Sequence, residues 1–452
     1  MRLIARLLAC LAAASMLLAQ PAIAQSILRD AETEALLQDL VDPLVGAAGM
    51  PKGSVDVVLI NDPSLNAFVA GGQRIYVHSG LINAADNANE VQGVLAHELG
   101  HITGGHVVRF GEGLAKAGKI SMLSLLVGLA AAVAGAGEAA MGVMAMGQQA
   151  ALGSFLAYSR AQESAADAAG AQYLSGAGIS GKGSLEFFRK LQNLEFRYGY
   201  SQSADAAYSR THPLSGDRMA RLREDYVVDP AWDTPTDPDL EARFQNVKAK
   251  LYGYLAKPND TLRSFPEYVN TVPAHYARAY AYHKDARIDA ALKEADALLA
   301  IDPANPYFLE LKGQVLLESG RPLEALEPLR EATRLTGNQP LIAGVFGHAL
   351  IATEDPANLD EAEQVLRAAV AKDRENPFAW YQLGMVYGAR GDIPRARLAS
   401  AERQVMIGAA TEALTNAQAA QAALPAGSPD WIRAQDVAMQ ARAQLERERD
   451  RK

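Results

Sequence analysis

A five-residue motif in the first quarter of the chain brings two histidines and a glutamate together. The residues are His97, Glu98 and His101, in a chain of 452 residues that contains 8 histidines. On a helix, residues four apart lie on the same face, so both imidazoles can reach one metal ion. Glu98 points about 100° around the helix, where it can take a proton from a water molecule at that ion. The motif therefore predicts a hydrolytic zinc site with Glu98 as the base.

Such a site needs a third protein ligand and keeps one position open. The best candidate is Glu163, in an alanine-rich segment that carries Asp167 one helical turn later. Glu163 would bind the metal, while Asp167 would orient a ligating histidine through its second ring nitrogen. Two acids at this spacing also occur on ordinary solvated helix faces, so the spacing alone leaves both interpretations open.

Two later residues, His212 and Arg218, are further candidates. His212 precedes Pro213, which favours an extended backbone and a position in a loop. It would stabilise the oxyanion of the reaction, bind the metal as a fourth ligand at rest, or simply bond to its loop neighbours. Arg218 would hold a carboxylate, polarise the substrate carbonyl, or form a surface salt bridge. His106 lies five residues after His101 and, on a continuing helix, should point away from the metal in a structural role.

The segments that must position these residues have the pattern of a mainly helical domain with a small sheet. Residues 26–46 have apolar side chains at helical spacing, and Asn87 begins a helix that runs through His101. The β-branched run 55–60 and the alternating run 74–78 predict a small antiparallel hairpin or a sheet edge. We expect the second of these strands to offer backbone hydrogen bonds to an extended substrate.

Residues 120–159, between the histidine motif and Glu163, contain one charged residue, Glu138. Each half is about long enough to cross a bilayer, yet its alanines and glycines contribute little transfer free energy. The segment is therefore interpreted as helices that pack on the catalytic domain as a lid, with contact to a membrane surface or a transmembrane hairpin as alternatives.

The N-terminus is typical of an export signal. Arg2 and Arg6 precede an apolar run at 7–18, and a small-x-small cleavage site lies at 22–24. We predict a signal peptide at 1–24 and a periplasm-like compartment. A lipoprotein signal at Cys10 would leave hardly any apolar run before that cysteine, and cleavage after Ala24 would leave no cysteine for a disulfide. The net charge of −9 argues against a nucleic-acid partner.

The C-terminal part, 271–452, carries an internal repeat. The positions Ala279, Gly313, Gly347 and Gly384 are separated by 34, 34 and 37 residues, and Pro306, Pro340 and Pro377 open successive units. Trp380, Leu383, Gly384 and Tyr387 then reproduce the pattern of a tetratricopeptide repeat. One such unit cannot bury its apolar face alone, so stacked units predict an α-solenoid. The Pro- and Asp-rich stretch 229–270 is the predicted linker.

The site motifs together resemble a known family. His97-Glu98-x-x-His101, Ser159-Arg160-x-x-Glu163-x-x-x-Asp167 and Thr211-His212-Pro213 resemble the M48 family of zinc metallopeptidases, as do Asn66-Ala67-Phe68 and Gly71-Gly72-Gln73 upstream. The resemblance implies a mainly α (α+β), zincin-type metallopeptidase domain at 25–228. It also implies that Glu163 is the third ligand of one zinc ion per chain and that Glu98 is the base.

With an export signal and repeats added, the chain resembles the periplasmic β-barrel assembly-enhancing branch of that family. This resemblance implies that His212 blocks the metal at rest. It implies an endopeptidase that degrades misfolded or stalled envelope and outer-membrane proteins, with the repeats recruiting clients or the outer-membrane β-barrel assembly machinery. The alternative is a repeat-based periplasmic chaperone or adaptor with a rarely active metal site. The presence of Glu98 favours the enzyme, because a binding protein has no chemical need for a base beside two ligands.

Overall fold

A computed structural model of the protein describes residues 26–133, 137–198, 212 and 216–450. The predicted signal peptide, with Cys10, lies outside the described residues, as do Thr211 and Pro213. The described chain is mainly helical, with a four-stranded sheet near its start and a long array of helices after the sheet-containing domain. This confirms the predicted fold class.

The sheet differs from the predicted hairpin. Its strands are β1 (Ile27–Leu28), β2 (Asp56–Ile60), β3 (Ala67–Ala70) and β4 (Arg74–His78), in the order β1-β2-β4-β3. The predicted antiparallel pairing of β2 with β4 is wrong, because the two strands are parallel. β3 intervenes in the sequence and pairs antiparallel with β4. A turn at Gly71 and Gly72, both with positive φ, makes that reversal possible. The edge strands are therefore β1 and β3, and β4 is an inner strand.

The first domain contains nine helices among the described residues. They are α1 (Ala31–Ala47), α2 (Ser79–Ala84), α3 (Ala88–Thr103), α4 (His106–Val133), α5 (Gly137–Gly176), α6 (Lys182–Tyr198), α7 (Gly216–Val227), α8 (Pro238–Leu255) and α9 (Pro258–Ser264). As predicted, Asn87 caps α3, its side chain accepting a hydrogen bond of 2.9 Å from the backbone N–H of Glu90.

Close packing of α3 against α5 brings the site residues together. A Cβ atom added at Gly100 would lie 2.6 Å from the carbonyl oxygen of Ala166, and one added at Gly170 would lie 3.1 Å from backbone atoms of Ala96. The two backbones touch at both glycines, since no side chain separates them. Glu163 on α5 is thereby held beside the histidines of α3.

Helices α4 and α5 also form a long hairpin, whose small residues face each other. A Cβ atom added at Gly147 would lie 1.9 Å from the Cβ atom of Ser124. Many large apolar side chains between 120 and 157 point outward and are exposed. The interpretation favoured from the sequence is that residues 120–159 pack on the catalytic domain. The outer half of the hairpin does not do so, because these side chains are exposed. Among the described residues, no helix is long and apolar enough to cross a membrane.

The array of paired helices contains α10 (Val272–Lys284), α11 (Ile288–Ile301), α12 (Pro306–Glu318), α13 (Pro322–Leu335), α14 (Pro340–Ala352), α15 (Leu359–Lys372), α16 (Pro377–Ala389), α17 (Ile393–Met406), α18 (Ala410–Ala423) and α19 (Pro429–Asp450). The three prolines predicted to open repeat units begin α12, α14 and α16. Gly313 and Gly347 lie where paired helices cross. A Cβ atom added at Gly313 would lie 2.4 Å from the side chain of Leu329, and one added at Gly347 would lie 2.5 Å from that of Leu366.

The stretch predicted as a linker is folded and contributes to the first domain. It contains α8 and α9, and Phe244, Val247 and Leu251 of α8 belong to the core formed by α1, α3 and the sheet. The chain therefore passes from the first domain into the array without an unstructured connection in this stretch.

The start of α1 packs against the array. Ala31 forms an apolar cluster with Ala332 and Ile342. Beside it, Lys250 Nζ lies 2.6 Å from the carboxylate of Asp30, and the hydroxyl of Tyr276 donates a hydrogen bond of 2.7 Å to Glu32. These buried polar contacts tie the first domain to the first repeats.

Candidate metal centre

The three predicted ligands lie together at the contact of α3 and α5. The Nε2 atoms of His97 and His101 are 3.2 Å apart. The carboxylate of Glu163 lies 3.4 Å from Nε2 of His97 and 3.5 Å from Nε2 of His101. All three side chains are buried. One ligand atom from each of them and from His212 lies within 4.8 Å of the others.

The donor set fits a catalytic zinc ion. Two imidazole nitrogens with one carboxylate oxygen are a usual combination at such sites, and ligand nitrogens in tetrahedral geometry lie about 3.3 Å apart. The observed separation of 3.2 Å between the two histidine nitrogens agrees with that value. The residues present can therefore hold a metal ion without rearrangement of the helices.

Asp167 and Arg218 support the ligands from behind. Asp167 Oδ1 lies 2.9 Å from Nδ1 of His97, which leaves Nε2 facing the other ligands. Arg218 on α7 donates hydrogen bonds of 2.6 and 2.8 Å to Asp167, and its Nη1 lies 3.2 Å from Glu163. Arg218 is 6% exposed, so the surface salt bridge considered for it is wrong. Burial alone would raise the pKa of Asp167, but the bonds to Arg218 and His97 hold it below its ordinary value.

Glu98 is fully buried beside the ligands, and its carboxylate is unusually placed. Neither of its oxygens accepts a hydrogen bond from the described residues. Nε2 of His212 lies 3.6 Å from its Oε1. Burial raises the pKa of Glu98, because the charged form has lost its hydration. A buried carboxylate with unused acceptor capacity next to a metal site is suited to accept a proton from a water molecule there.

His212 lies within the same cluster. Its Nδ1 is 3.1 Å from both carboxylate oxygens of Glu163 and 3.3 Å from Nε2 of His97. These distances favour a role in the site over that of a loop histidine bonded to its sequence neighbours. The fourth-ligand role and the oxyanion role are both compatible with this position.

The sequence reasoning missed His106. The helix does not continue past Thr103, since the turn at Gly104 and Gly105 directs the chain back, with φ of 61° at Gly105. His106 Nδ1 consequently lies 2.9 Å from Nδ1 of His101. Because Nε2 of His101 faces the other ligands, a neutral His101 carries its proton on Nδ1 and donates it to His106. The pair of glycines was the available signal, because it marks a turn rather than a helix.

A cleft of about 510 Å³ opens onto the site. Phe68 and Val69 of β3 line one side, and Val107 and Phe155 at the base of the hairpin line another. β3 is an edge strand that lines this cleft, so it, and not β4 as predicted, is the strand that can pair with an extended chain there.

Comparison with known proteins agrees with this geometry. Residues 31–225 match the model of peptidase family M48. The chain has an M48 peptidase domain. It is 26% identical over 397 residues to the β-barrel assembly-enhancing protease of Escherichia coli K12, a match that covers 85% of this chain and 78% of that protein. The protease of the same name from Yersinia pestis is 24% identical over 409 residues, covering 88% of this chain and 81% of that protein.

A shorter relative and a solved structure match parts of the chain. The metalloprotease LoiP of Escherichia coli K12 is 31% identical over 168 residues, or 36% of this chain and 60% of that protein. The solved structure of YrrB, described as a TPR protein with an unusual peptide-binding site, is 22% identical and covers 39% of this chain and 92% of that chain, with a TM-score of 0.32. That score is too low to support the fold, which rests on the helix pairs themselves. The protein is thus a metallopeptidase followed by helical repeats.

Proposed function

We propose that the protein is a periplasmic zinc endopeptidase that degrades misfolded or stalled envelope and outer-membrane proteins. We further propose that its repeats recruit these clients or the outer-membrane β-barrel assembly machinery. The observation that carries the enzymatic part is the position of Glu98, a buried carboxylate without a hydrogen-bond donor among the described residues, beside a cluster of metal-binding side chains.

His97, His101 and Glu163 would hold the zinc ion. Zinc bound in this way supplies Lewis acidity at a carbonyl and lowers the pKa of a water molecule to about 7. Glu98 accepts the proton of the attacking water and passes it to the leaving amine. Asp167 keeps His97 in the tautomer whose Nε2 is free to bind, and His106 does the same for His101 from the opposite side.

Substrate binding is proposed to use the edge of the sheet. The main chain of β3 can pair with an extended peptide, and such pairing does not depend on side-chain identity. Phe68, Val107 and Phe155 add apolar surface to the same cleft. A site built in this way suits unfolded segments with apolar side chains, and these are what a misassembled β-barrel protein exposes.

His212 is proposed to guard the site. Its imidazole lies close enough to the ligand cluster to bind the metal as a fourth ligand, which would close the open position that catalysis needs. Displacement of His212 by substrate would then start the reaction. This behaviour would distinguish a regulated protease from a free digestive one.

The proposed compartment and partners are supported by the predicted signal peptide and by the names of the two long relatives, both called β-barrel assembly-enhancing protease. The helix pairs offer stacked surfaces of the kind that repeat proteins use to bind other proteins.

The test is cleavage of an unfolded β-barrel protein by the mature wild-type chain and by Glu98→Gln. Loss of the base should lower the rate by roughly 10²- to 10⁴-fold, while metal analysis still finds about one zinc ion per chain. Glu186→Gln removes an exposed carboxylate from α6 and should leave the rate unchanged. Equal cleavage by wild type and Glu98→Gln would show that this site is not the peptidase. Suppression of client aggregation without any cleavage would support the chaperone alternative instead.

A further inference from the structure

The outer half of the α4–α5 hairpin, called here the tip and comprising residues 120–133 and 137–152, has an unusual surface. Eight of its large apolar side chains are each between 57% and 70% exposed: Met122, Leu123, Leu125, Leu126, Leu129, Met141, Met146 and Leu152. The single charged residue in these two ranges is Glu138, the second residue of α5. An apolar surface this continuous is uncommon on a protein surrounded by water and marks a site of interaction.

The two helices of the tip meet through their small residues. Gly147 faces Ser124 directly, and the neighbouring Ala151 is 7% exposed. Helix pairs in water bury their large apolar side chains at the contact, whereas helices in lipid use small residues at the contact and direct large apolar residues outward. The tip follows the second arrangement.

Positive charge lies where the tip begins. Lys116 and Lys119 on α4 are exposed, and no ion pair with an acidic side chain of the described residues involves either of them. Arg160 on α5 lies nearer the base, where the hydroxyl of the neighbouring Tyr158 donates a hydrogen bond to the backbone carbonyl of Arg109, and Glu112 lies one turn before Lys116. The chain as a whole has a net charge of −9, so these two lysines form a local positive region on a negatively charged protein. Long basic side chains at the boundary of an apolar segment are suited to anionic lipid headgroups.

The length of the tip matches partial insertion. The part of α4 after Lys119 has 14 residues, Ile120 to Val133, and extends about 21 Å. The hydrocarbon core of a bilayer is about 30 Å thick, so the tip reaches beyond one leaflet of about 15 Å without crossing the second. This agrees with the finding that no described helix qualifies as a membrane span.

We propose that the hairpin inserts its tip into the surface of an anionic phospholipid bilayer, with Lys116 and Lys119 at the headgroups. Phe155 lies on α5 close to the level of Lys116 and also lines the cleft, as does Val107 at the base of α4. Insertion therefore holds the mouth of the cleft near the plane of the headgroups. This proposal does not depend on the reaction that the metal centre catalyses.

The experiment measures binding of the mature chain to vesicles of phosphatidylglycerol and phosphatidylethanolamine, by flotation. Leu125→Gln with Leu126→Gln should lower the partition coefficient at least tenfold, since both leucines would enter the hydrocarbon. Leu323→Gln with Ile407→Gln, which changes two residues of the repeats that are also more than half exposed, should bind as wild type does. Lys116→Gln with Lys119→Gln should lower binding by roughly 25-fold at low salt, about fivefold for each lysine, and by less at high salt. Glu138→Gln should strengthen binding.

A spectroscopic reporter separates insertion from loose adhesion. Leu126→Trp should shift its emission to shorter wavelength on addition of vesicles and be quenched by lipids brominated on their acyl chains, whereas Leu323→Trp should show neither effect. Unchanged circular dichroism and unchanged cleavage of a soluble peptide by the leucine variants establish that they fold. The proposal is overturned if wild type does not float with anionic vesicles, or if the leucine variants float equally. It is also overturned if the tip leucines hold a dimer together in the absence of lipid and vesicles do not dissociate it.

Discussion

Replacing Arg218 by methionine should destabilise the peptidase domain more than any comparable substitution on the same helix. Arg218 is 6% exposed and donates to both oxygens of Asp167, while its Nη1 lies 3.2 Å from Glu163. Methionine keeps much of the side-chain volume but removes the charge. Two buried carboxylates would then face each other without the cation that compensates them.

The size of the effect follows from that geometry. Breaking a buried ion pair by removal of one partner costs about 3–5 kcal/mol, because the remaining charge is buried without compensation. In a domain of this size, such a loss lowers the midpoint of thermal unfolding by roughly 6–20 °C. The metal should be absent from the measurement, so that its binding does not add to the free energy of unfolding.

The assay is thermal unfolding of the mature chain in chelator, followed by circular dichroism. Arg221→Met serves as the matched control, since Arg221 is exposed on the same helix, and it should shift the midpoint little. A double-mutant cycle then isolates the charge interaction. Asp167→Ala removes one of the two carboxylates, so the double variant should be less destabilised than the sum of the single variants by about 1–3 kcal/mol.

Two results would refute this reasoning. If Arg218→Met had the same midpoint of thermal unfolding as Arg221→Met, the two carboxylates would not need the guanidinium for stability. Strict additivity in the cycle would show that Arg218 acts through packing rather than through Asp167.

Three further predictions concern other parts of the molecule. His212→Ala should raise the rate of cleavage of a short unstructured peptide severalfold, because it removes the proposed blocking ligand; a lower rate would assign His212 to the oxyanion instead. Burial raises the pKa of Glu310 from 4.5 to about 8, so the folded protein retains a proton that the unfolded chain has lost, and stability falls as the pH rises between these values. Glu310→Gln should unfold like wild type in urea near pH 4.5 and be more stable by a few kcal/mol near pH 9; equal curves at both pH values would contradict this. Gly347→Ala should destabilise the repeats by about 1–3 kcal/mol, since its Cβ would lie 2.5 Å from Leu366, whereas Gly388→Ala has open space and should be neutral or slightly stabilising in the same urea titration.

Much of the metal centre was predictable because its chemistry is local. The spacing of His97 and His101 places both imidazoles on one face of any helix, and Asn87 marks where that helix begins. The same holds for the repeats, where prolines and small residues recur at a period of one helix pair. These patterns depend on neighbours within a few residues, and the structure shows the expected helices at both places.

Other features depended on contacts that no short window of sequence contains. The spacing of Glu163 and Asp167 was compatible with a solvated helix face. Their position beside His97 follows from the approach of two backbones at Gly100 and Gly170, which are 70 residues apart in the chain. The antiparallel pairing predicted for 55–60 and 74–78 failed for the same reason, because β3 is the antiparallel partner of β4 and β2 pairs with the other side of β4 in parallel.

The sequence by itself therefore determined the donor atoms of the centre, the helix that carries two of them, and the repeating helix pairs. It did so because side-chain chemistry and helical periodicity act over a few residues. The tertiary structure alone decided the order of the strands, the return of His106 to His101, the burial of Arg218 between two carboxylates and the outward apolar face of the hairpin. Each of these depends on which distant surfaces meet, and so on the packing of the whole domain.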